Sequence, residues 1–433
     1  MLSVADNELL TRTGPGTPMG ELFRRFWLPA LLPSELPSPD CAPIRLRLLG
    51  EDLIAFRDTS GRVGFVANAC PHRGASLFFG RNEEDGLRCV YHGWKFDVTG
   101  ACVDMPSEPA ESNFKSKVRV RAYPSAEAGG LVWIYMGPPE KQPDLPRYEW
   151  MLQPGAENSR VSKHMQDSNY TQGLEGNIDS AHVTFLHRVF GAETFLRGIP
   201  YAPPQITQSR ETEFGFVYGA RREAPDDQYY WRVTAFVYPT FTHIASTSRS
   251  GGGIFVLPMD DEHSWWFMVQ PTAPAGQEER TARAVNSQNG PFAYVSQFDQ
   301  STLGLIPGTF RYIRNAGNDY MIDRDKQRTL NYTGLPGNRT QDAAVTESMG
   351  PIYDRSKEHL GTTDVAVIHM RRELIKMAQQ LQQGIEPAIL TDPARFRAVP
   401  MDVVTNKEDL SHLWDPFWSE VKVERGIEAP AAV

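Results

Sequence analysis

The sequence predicts an α+β protein made of a small antiparallel β module followed by a larger domain that mixes antiparallel strands with helices. Three observations carry this. At 433 residues the chain exceeds what one hydrophobic core usually organises. Its first third is a series of short β-prone runs separated by turn residues. Beyond about residue 150, helix-like segments flank longer, aromatic-rich strands.

Residues 1–37 read as an N-terminal lead-in, with a short helical piece over Gly20–Leu28 that ends in the proline-rich PALLPSELPSPD, expected on the surface. The β module spans 38–140. Ile44–Leu49, Asp52–Arg57 and Val63–Ala67 are strands joined by hairpin turns at Gly50-Glu51 and Ser60-Gly61. Val118–Tyr123 alternates, and the buried strand Gly130–Met136 stops at Gly137-Pro138-Pro139. The larger domain covers 150–433. It opens with a helical segment, Tyr170–His187, followed by strands at Phe214–Ala220, Tyr229–Tyr238, Ile254–Pro258 and Ser264–Gln270, which suit a sheet with one covered face. A long loop is expected over Ile306–Asn338, then helices over Asp342–Met349 and Thr363–Gln382.

Composition narrows the function classes. Forty per cent hydrophobic and 22% charged is ordinary globular protein, and a net charge of −9 with no basic block argues against a nucleic-acid partner. Four cysteines are too few for a disulfide scaffold, the N-terminus lacks the basic start and apolar core of a signal peptide, and no apolar run is long enough to span a bilayer. A soluble cytoplasmic protein with no membrane or nucleic-acid partner is the expectation.

The chemistry concentrates in CPHRGASLFFGRNEEDGLRCVYHGW, residues 70–94. Cys70 and His72 are two positions apart, Cys89 and His92 three apart. Two thiolates and two imidazoles suit either a structural zinc or a 2Fe-2S cluster in which two histidines replace two cysteines on one iron. A cluster also needs tight loops around its sulfides, for which Pro71, Gly74 and Gly93 are placed. Cys41 and Cys102 have no ligand spacing and read as small apolar residues. The wording C-P-H-R-G and C-x-Y-H-G-W resembles the ligand loops of Rieske proteins, with the oxygenase branch nearest.

A second constellation lies in EGNIDSAHVTFLH, with Asn177, Asp179, His182 and His187. On a regular helix His182 shares a face with Asp179 but is turned by roughly 140° from His187, so aiming both imidazoles at one ion requires a break or π-type bulge. This stretch resembles the mononuclear-iron motif of the Rieske non-heme iron aromatic-ring oxygenases, and QDAAVTESMGPIYDRSKEHLG resembles their phthalate dioxygenase branch. The resemblance implies a catalytic domain with a curved antiparallel sheet gripping helices, and homotrimers or stacked trimers. It implies Fe(II) held by His182, His187 and an acid, best matched by Asp342, with Asp364 next and Glu347 last. Asp179 matches the acid that bridges to a Rieske histidine of a neighbouring subunit, and Asn177 accompanies it.

On that resemblance the chain is a terminal oxygenase. It lacks a dinucleotide fingerprint, so NAD(P)H electrons arrive through a separate flavin and iron-sulfur reductase. With dioxygen it hydroxylates or dihydroxylates an aromatic substrate, or alternatively O-demethylates a methoxylated one. Tyr229, Tyr230, Trp231, Trp265, Trp266 and Phe267 suit either a planar ring or simple core, and Arg232 and Arg249 are candidates for a substrate carboxylate, which would make the substrate an aromatic acid.

Overall fold

A computed structural model describes residues 1–109, 111–152, 159–195, 199–244, 252–271, 303–406, 408, 414–415 and 418. Arg249 lies outside the described residues.

The chain enters through two short helices, α1 (Val4–Thr11) and α2 (Pro18–Arg24). Each starts on a side-chain cap, Ser3 accepting from the Asp6 amide and Thr17 from the Gly20 amide, with Pro18 preset for the first helical position. The helix expected over Gly20–Leu28 therefore begins earlier and stops at Arg24. Trp27–Leu31 is instead a fully buried strand paired with Leu131–Tyr135. Its hydrophobic run fits either state by periodicity, and a partner a hundred residues later decides it. The proline-rich stretch expected on the surface is partly internal, with Leu31 and Leu36 buried.

The module carries two four-stranded antiparallel sheets. One orders Ile44–Leu48, Glu51–Arg57, Val63–Ala67 and Ala122–Tyr123, and the other is a meander of Arg81–Glu83, Gly86–Arg88, Lys95–Phe96 and Cys102–Asp104. The strand expected from Val118 is confined to Ala122–Tyr123, because a 3-10 turn over Phe114–Lys117 precedes it.

The larger domain is built on an eight-stranded antiparallel sheet that runs in the order Arg160–Gln166, Ser264–Gln270, Gly253–Pro258, Phe241–His243, Gln228–Val237, Gly215–Ala224 and Gln205–Glu211, with Met401–Thr405 also pairing Gln228–Val237. α3 (Tyr170–Ile178) packs on its strands Gly253–Pro258, Phe241–His243 and Ser264–Gln270; α4 (Arg324–Thr329) leads into α5 (Asn338–Ser348), which packs on α3, and α6 (Val365–Gln382) packs on strand Gln205–Glu211. The long loop expected over Ile306–Asn338 holds a 3-10 turn at Ala316–Met321 and α4. Trp231, Trp266 and Phe267 are interior, the simple core reading of the aromatic strands. No helix among the described residues is long and apolar enough to cross a membrane.

α3 is buried almost all round and is held by charge as well as packing. Glu175 accepts from Arg355 Nε at 2.7 Å and Nη2 at 3.0 Å, and from Arg371 Nε on α6 at 2.7 Å. Burial works against the Glu175 charge, but the two guanidinium groups outweigh it and hold the carboxyl below its ordinary range. Tyr170 donates its hydroxyl to the Leu10 carbonyl at 2.6 Å, which ties α3 to α1.

Glu175→Gln leaves Arg355 and Arg371 competing for one neutral amide in the interior, and we expect it to lower unfolding stability by about 3–5 kcal/mol in urea titrations. Arg328→Ala, which removes an exposed pair with Asp325, is expected to cost under about 1 kcal/mol. Equal losses would mean that Glu175 contributes no more than a surface ion pair.

Candidate metal centres

The two loops at residues 70–76 and 89–94 share one backbone design. The Cys70 amide donates to the Ala75 carbonyl at 2.8 Å and the Gly74 amide to the Cys70 carbonyl at 2.9 Å. In the second loop the Cys89 amide donates to Trp94 at 2.8 Å and the Gly93 amide to Cys89 at 2.9 Å. Both turns need a residue in the left-handed region, supplied by Gly74 at φ 77° and Gly93 at φ 79°.

Cys70 and Cys89 sit in an apolar cluster with Leu77, Leu87, Trp94 and Phe96, and burial pushes the Cys70 thiol up to about 11. The rings of His72 and His92 lie beside each other at 4.4 Å between centroids, His72 stacked on Trp94 at 4.2 Å and His92 against Tyr91 at 3.9 Å. His72 Nδ1 is buried without a hydrogen-bond partner. Among the described residues the four side chains do not gather within reach of one ion. Sulfur pairs with sulfur and ring with ring, a disposition that suits a two-iron cluster with cysteines on one metal and histidines on the other rather than one tetrahedral zinc. Cys102 lies in the same apolar cluster with its thiol toward the Asp104 carbonyl at 3.4 Å, and the Cys41 carbonyl accepts from Asn82.

The second group begins where α3 ends. Asp179 is extended at φ −73° and ψ 119°, and the chain resumes as a 3-10 turn over His182–Thr184. The helix thus stops before either histidine, which takes the place of a π-type bulge between them. This stop also means that Asp179 and His182 share no helical face. Asp179 reaches His182 by folding back: Oδ1 accepts from the Ala181 amide at 2.6 Å, and Oδ2 from the His182 amide at 3.2 Å, with His182 Nδ1 at 3.4 Å. Burial opposes its charge, yet His182 and these amides hold the carboxyl below its ordinary range. The sheet fixes the break from beneath, Tyr218 donating to the Ile178 carbonyl and Arg222 to the Ser180 carbonyl and hydroxyl.

His182, His187 and Asp342 converge. Asp342 Oδ1 stands 3.1 Å from His187 Nε2 and 3.8 Å from His182 Nε2. Two ligands each about 2.1 Å from one ion are separated by about 3 Å at right angles, so the three donors fit a single cation. Nδ1 of each ring faces an outer partner, His182 toward Asp179 and His187 toward Gln341 Oε1 at 2.7 Å, the orientation that leaves Nε2 for a metal. Asp342 Oδ2 pairs with Arg339 at 3.2 Å. Burial disfavours the Asp342 charge, but His187 and Arg339 overcome it and keep the carboxyl well below its usual range.

Asp342 is not at a helix start, since α5 begins a turn earlier at Asn338. Asp364 accepts from the Gly361 amide, Glu347 accepts from Tyr320 and the Asp167 amide, and neither joins the histidines. Asn177 is buried and accepts from Arg339 at 3.3 Å. Gln341, Arg339 and Arg222 were not singled out in the sequence. Nothing in the residue pattern marks them, apart from Gln341 standing next to Asp342.

The two loop glycines differ in surroundings. A Cβ at Gly74 meets nothing, whereas at Gly93 it lands 2.7 Å from Pro106 Cγ. Gly74→Ala is expected to cost about 1 kcal/mol and keep the visible cluster spectrum, while Gly93→Ala loses much of the cluster, read as iron and absorbance per chain. Equal spectra would show that Pro106 yields freely.

Two family descriptions match the chain: "Rieske 2Fe-2S domain" over residues 26–124 and "LigXa C-terminal domain like" over residues 134–409. It is 40% identical to the 3-chlorobenzoate-3,4-dioxygenase oxygenase subunit of Comamonas testosteroni over 87% of this chain and 88% of that protein. It is also 40% identical to the phthalate 4,5-dioxygenase oxygenase subunit of Pseudomonas putida over 90% and 89%. The 5,5'-dehydrodivanillate O-demethylase oxygenase subunit of a Sphingobium species is 32% identical over 93% and 87%. In fold the chain resembles dicamba monooxygenase bound to dicamba, at a TM-score of 0.55 and 18% identity over 84% of this chain and 99% of the other. The iron-sulfur module and the domain behind it are both accounted for, and the chain belongs to the Rieske non-heme iron oxygenases, as an oxygenase alpha subunit of the phthalate dioxygenase-like branch.

Proposed function

We propose that the protein is the terminal oxygenase that hydroxylates or dihydroxylates an aromatic acid, with NAD(P)H electrons delivered by a separate flavin and iron-sulfur reductase. The observation that carries this reading is the convergence of half-buried His182 with His187 and Asp342 in the same chain as two paired Cys/His loops. In this reading Cys70, His72, Cys89 and His92 hold the 2Fe-2S cluster, and His182, His187 and Asp342 hold Fe(II). When bound, the cluster supplies stored electrons one at a time and the iron supplies the site at which dioxygen is activated. Asp179 orients His182 through Nδ1, Gln341 orients His187, and Asn177 and Arg339 brace the carboxylate side.

An acidic substrate is favoured by two buried arginines. Arg222 and Arg232 stand on one face of adjacent strands, and the Arg222 guanidinium is pushed down to about 10, first by burial and then by Arg232. Arg232 Nε has no partner among the described residues. Buried cations call for an anion, and Arg222 adjoins Ser180 next to Asp179. The relatives named for chlorobenzoate and phthalate act on such acids by name.

Assembly as a homotrimer or stacked trimers is supported by exposed aromatic side chains, Tyr91 and Phe114 at the cluster loops and Phe185, three residues after His182, with Tyr332 packed on it and Phe190 packed on Tyr332. In that assembly Asp179 bridges to His72 or His92 of a neighbouring subunit.

His182→Ala or Asp342→Ala is expected to abolish product and remove the mononuclear iron, about one of three irons per chain, while the red-brown spectrum persists. Asp364→Ala keeps both. Asp179→Asn keeps the cluster and most iron but slows cluster oxidation by orders of magnitude in single-turnover experiments with substrate and oxygen present. Retention of iron and activity in Asp342→Ala would overturn the ligand set, and wild-type rates in Asp179→Asn would remove the bridge.

For the substrate, Arg232→Gln is expected to raise KM for benzoate-type acids at least about tenfold, roughly 1.4 kcal/mol of binding, with neutral aromatics unaffected. Turnover confined to methoxylated aromatics, with release of formaldehyde, would favour O-demethylation instead.

A further inference from the structure

Strand Gln205–Glu211, an edge of the large sheet among the described residues, is crossed by α6, and three side chains with metal-binding chemistry meet there. His369 and Glu373 are four residues apart and so lie on one helical face. Ser209 and Glu211 are two apart on the strand and so project to the same side. One ligand atom each from Glu211, His369 and Glu373 falls within 4.8 Å of the others. None of the three hydrogen-bonds or ion-pairs with another among the described residues.

The imidazole is prepared from outside the group. Ser209 Oγ lies 2.5 Å from His369 Nδ1, and Phe216 stacks on the ring at 4.2 Å and 10°. With Nδ1 engaged and the ring clamped, Nε2 is the nitrogen left for the carboxylates. Glu373 is itself buried and steadied by Lys376 at 3.1 Å, while Glu211 is exposed and provides the approach from solvent.

We infer that Glu211, His369 and Glu373 form a second cation site, separate from the catalytic residues, that takes a divalent first-row metal and pins α6 to the sheet edge. One nitrogen and two carboxylate oxygens, with an open position for water, match the ligands of Zn²⁺, which also stands high in the affinity order for such donors. Ser209 is the positioning partner that ligating histidines characteristically have. A cation here joins a strand at the edge of the described sheet to the helix that covers it.

The test uses the iron-replete enzyme, titrated calorimetrically with Zn²⁺ and analysed for metal after dialysis. The expected result is one zinc per chain beyond the iron. Glu211→Gln, at an exposed position least able to disturb the fold, and His369→Ala each weaken binding tenfold or more. Ser209→Ala, which touches no metal, weakens it by roughly ten- to a hundredfold. All three keep their iron and visible spectrum, and Asp342→Ala still takes up the extra zinc. No zinc beyond the iron sites in the wild type, or His369→Ala binding as tightly as wild type, overturns the proposal.

Discussion

One carboxylate held between two arginines governs where His182 and His187 stand. Glu175 occupies the last turns of α3, and its oxygens are shared by Arg355 and by Arg371 of α6. A charge in that position costs several kcal/mol of desolvation, and only close, hydrogen-bonded counterions offset it. The pairing therefore fixes the end of α3 against chain segments nearly 200 residues downstream. Everything from Asn177 to His187 departs from that end, so its placement passes directly to the two imidazoles.

The same economy appears one step outward. Each of the three converging side chains has a second partner that does not belong to the group: Asp179 for His182, Gln341 for His187 and Arg339 for Asp342. Gln341 is anchored in turn, donating to the Leu335 carbonyl at 2.9 Å. Rings and carboxylate are thereby held in place by the protein itself, which would lower the ordering cost of binding an ion between them. The paired loops of the β module reach the same end by backbone means, two turns of identical hydrogen bonding with a glycine at the same step of each.

What the sequence disclosed follows the range of the interactions. The ligand loops at 70–94 are local, so their chemistry was legible residue by residue. The misalignment of His182 and His187 on a regular helix announced a break, although not that Asp179 would be its pivot. Asp342 lies 155 positions from His187, and only family resemblance singled it out; spacing alone left Asp364 open. The strands Arg160–Gln166 and Gln205–Glu211 were missed because they are polar and acquire their structure from distant partners. Trp27 and Leu28, apolar as they are, leave the expected helix because their strand also pairs with a distant partner, Leu131–Tyr135. Arg339 and Arg222 resemble any solvated arginine until the fold encloses them.

The pairing of Arg339 with Asp342 has a further consequence, in denticity. Oδ2 is committed to the guanidinium, so Asp342 offers Oδ1 alone to the point that His182 and His187 face. An octahedral ion held there by two nitrogens and one oxygen would keep half of its coordination sphere for other ligands. Released from Arg339, the carboxylate would be free to chelate through both oxygens and take one of those positions. With an ion at that point, Arg339 would thus set how many outside ligands it could accept at once.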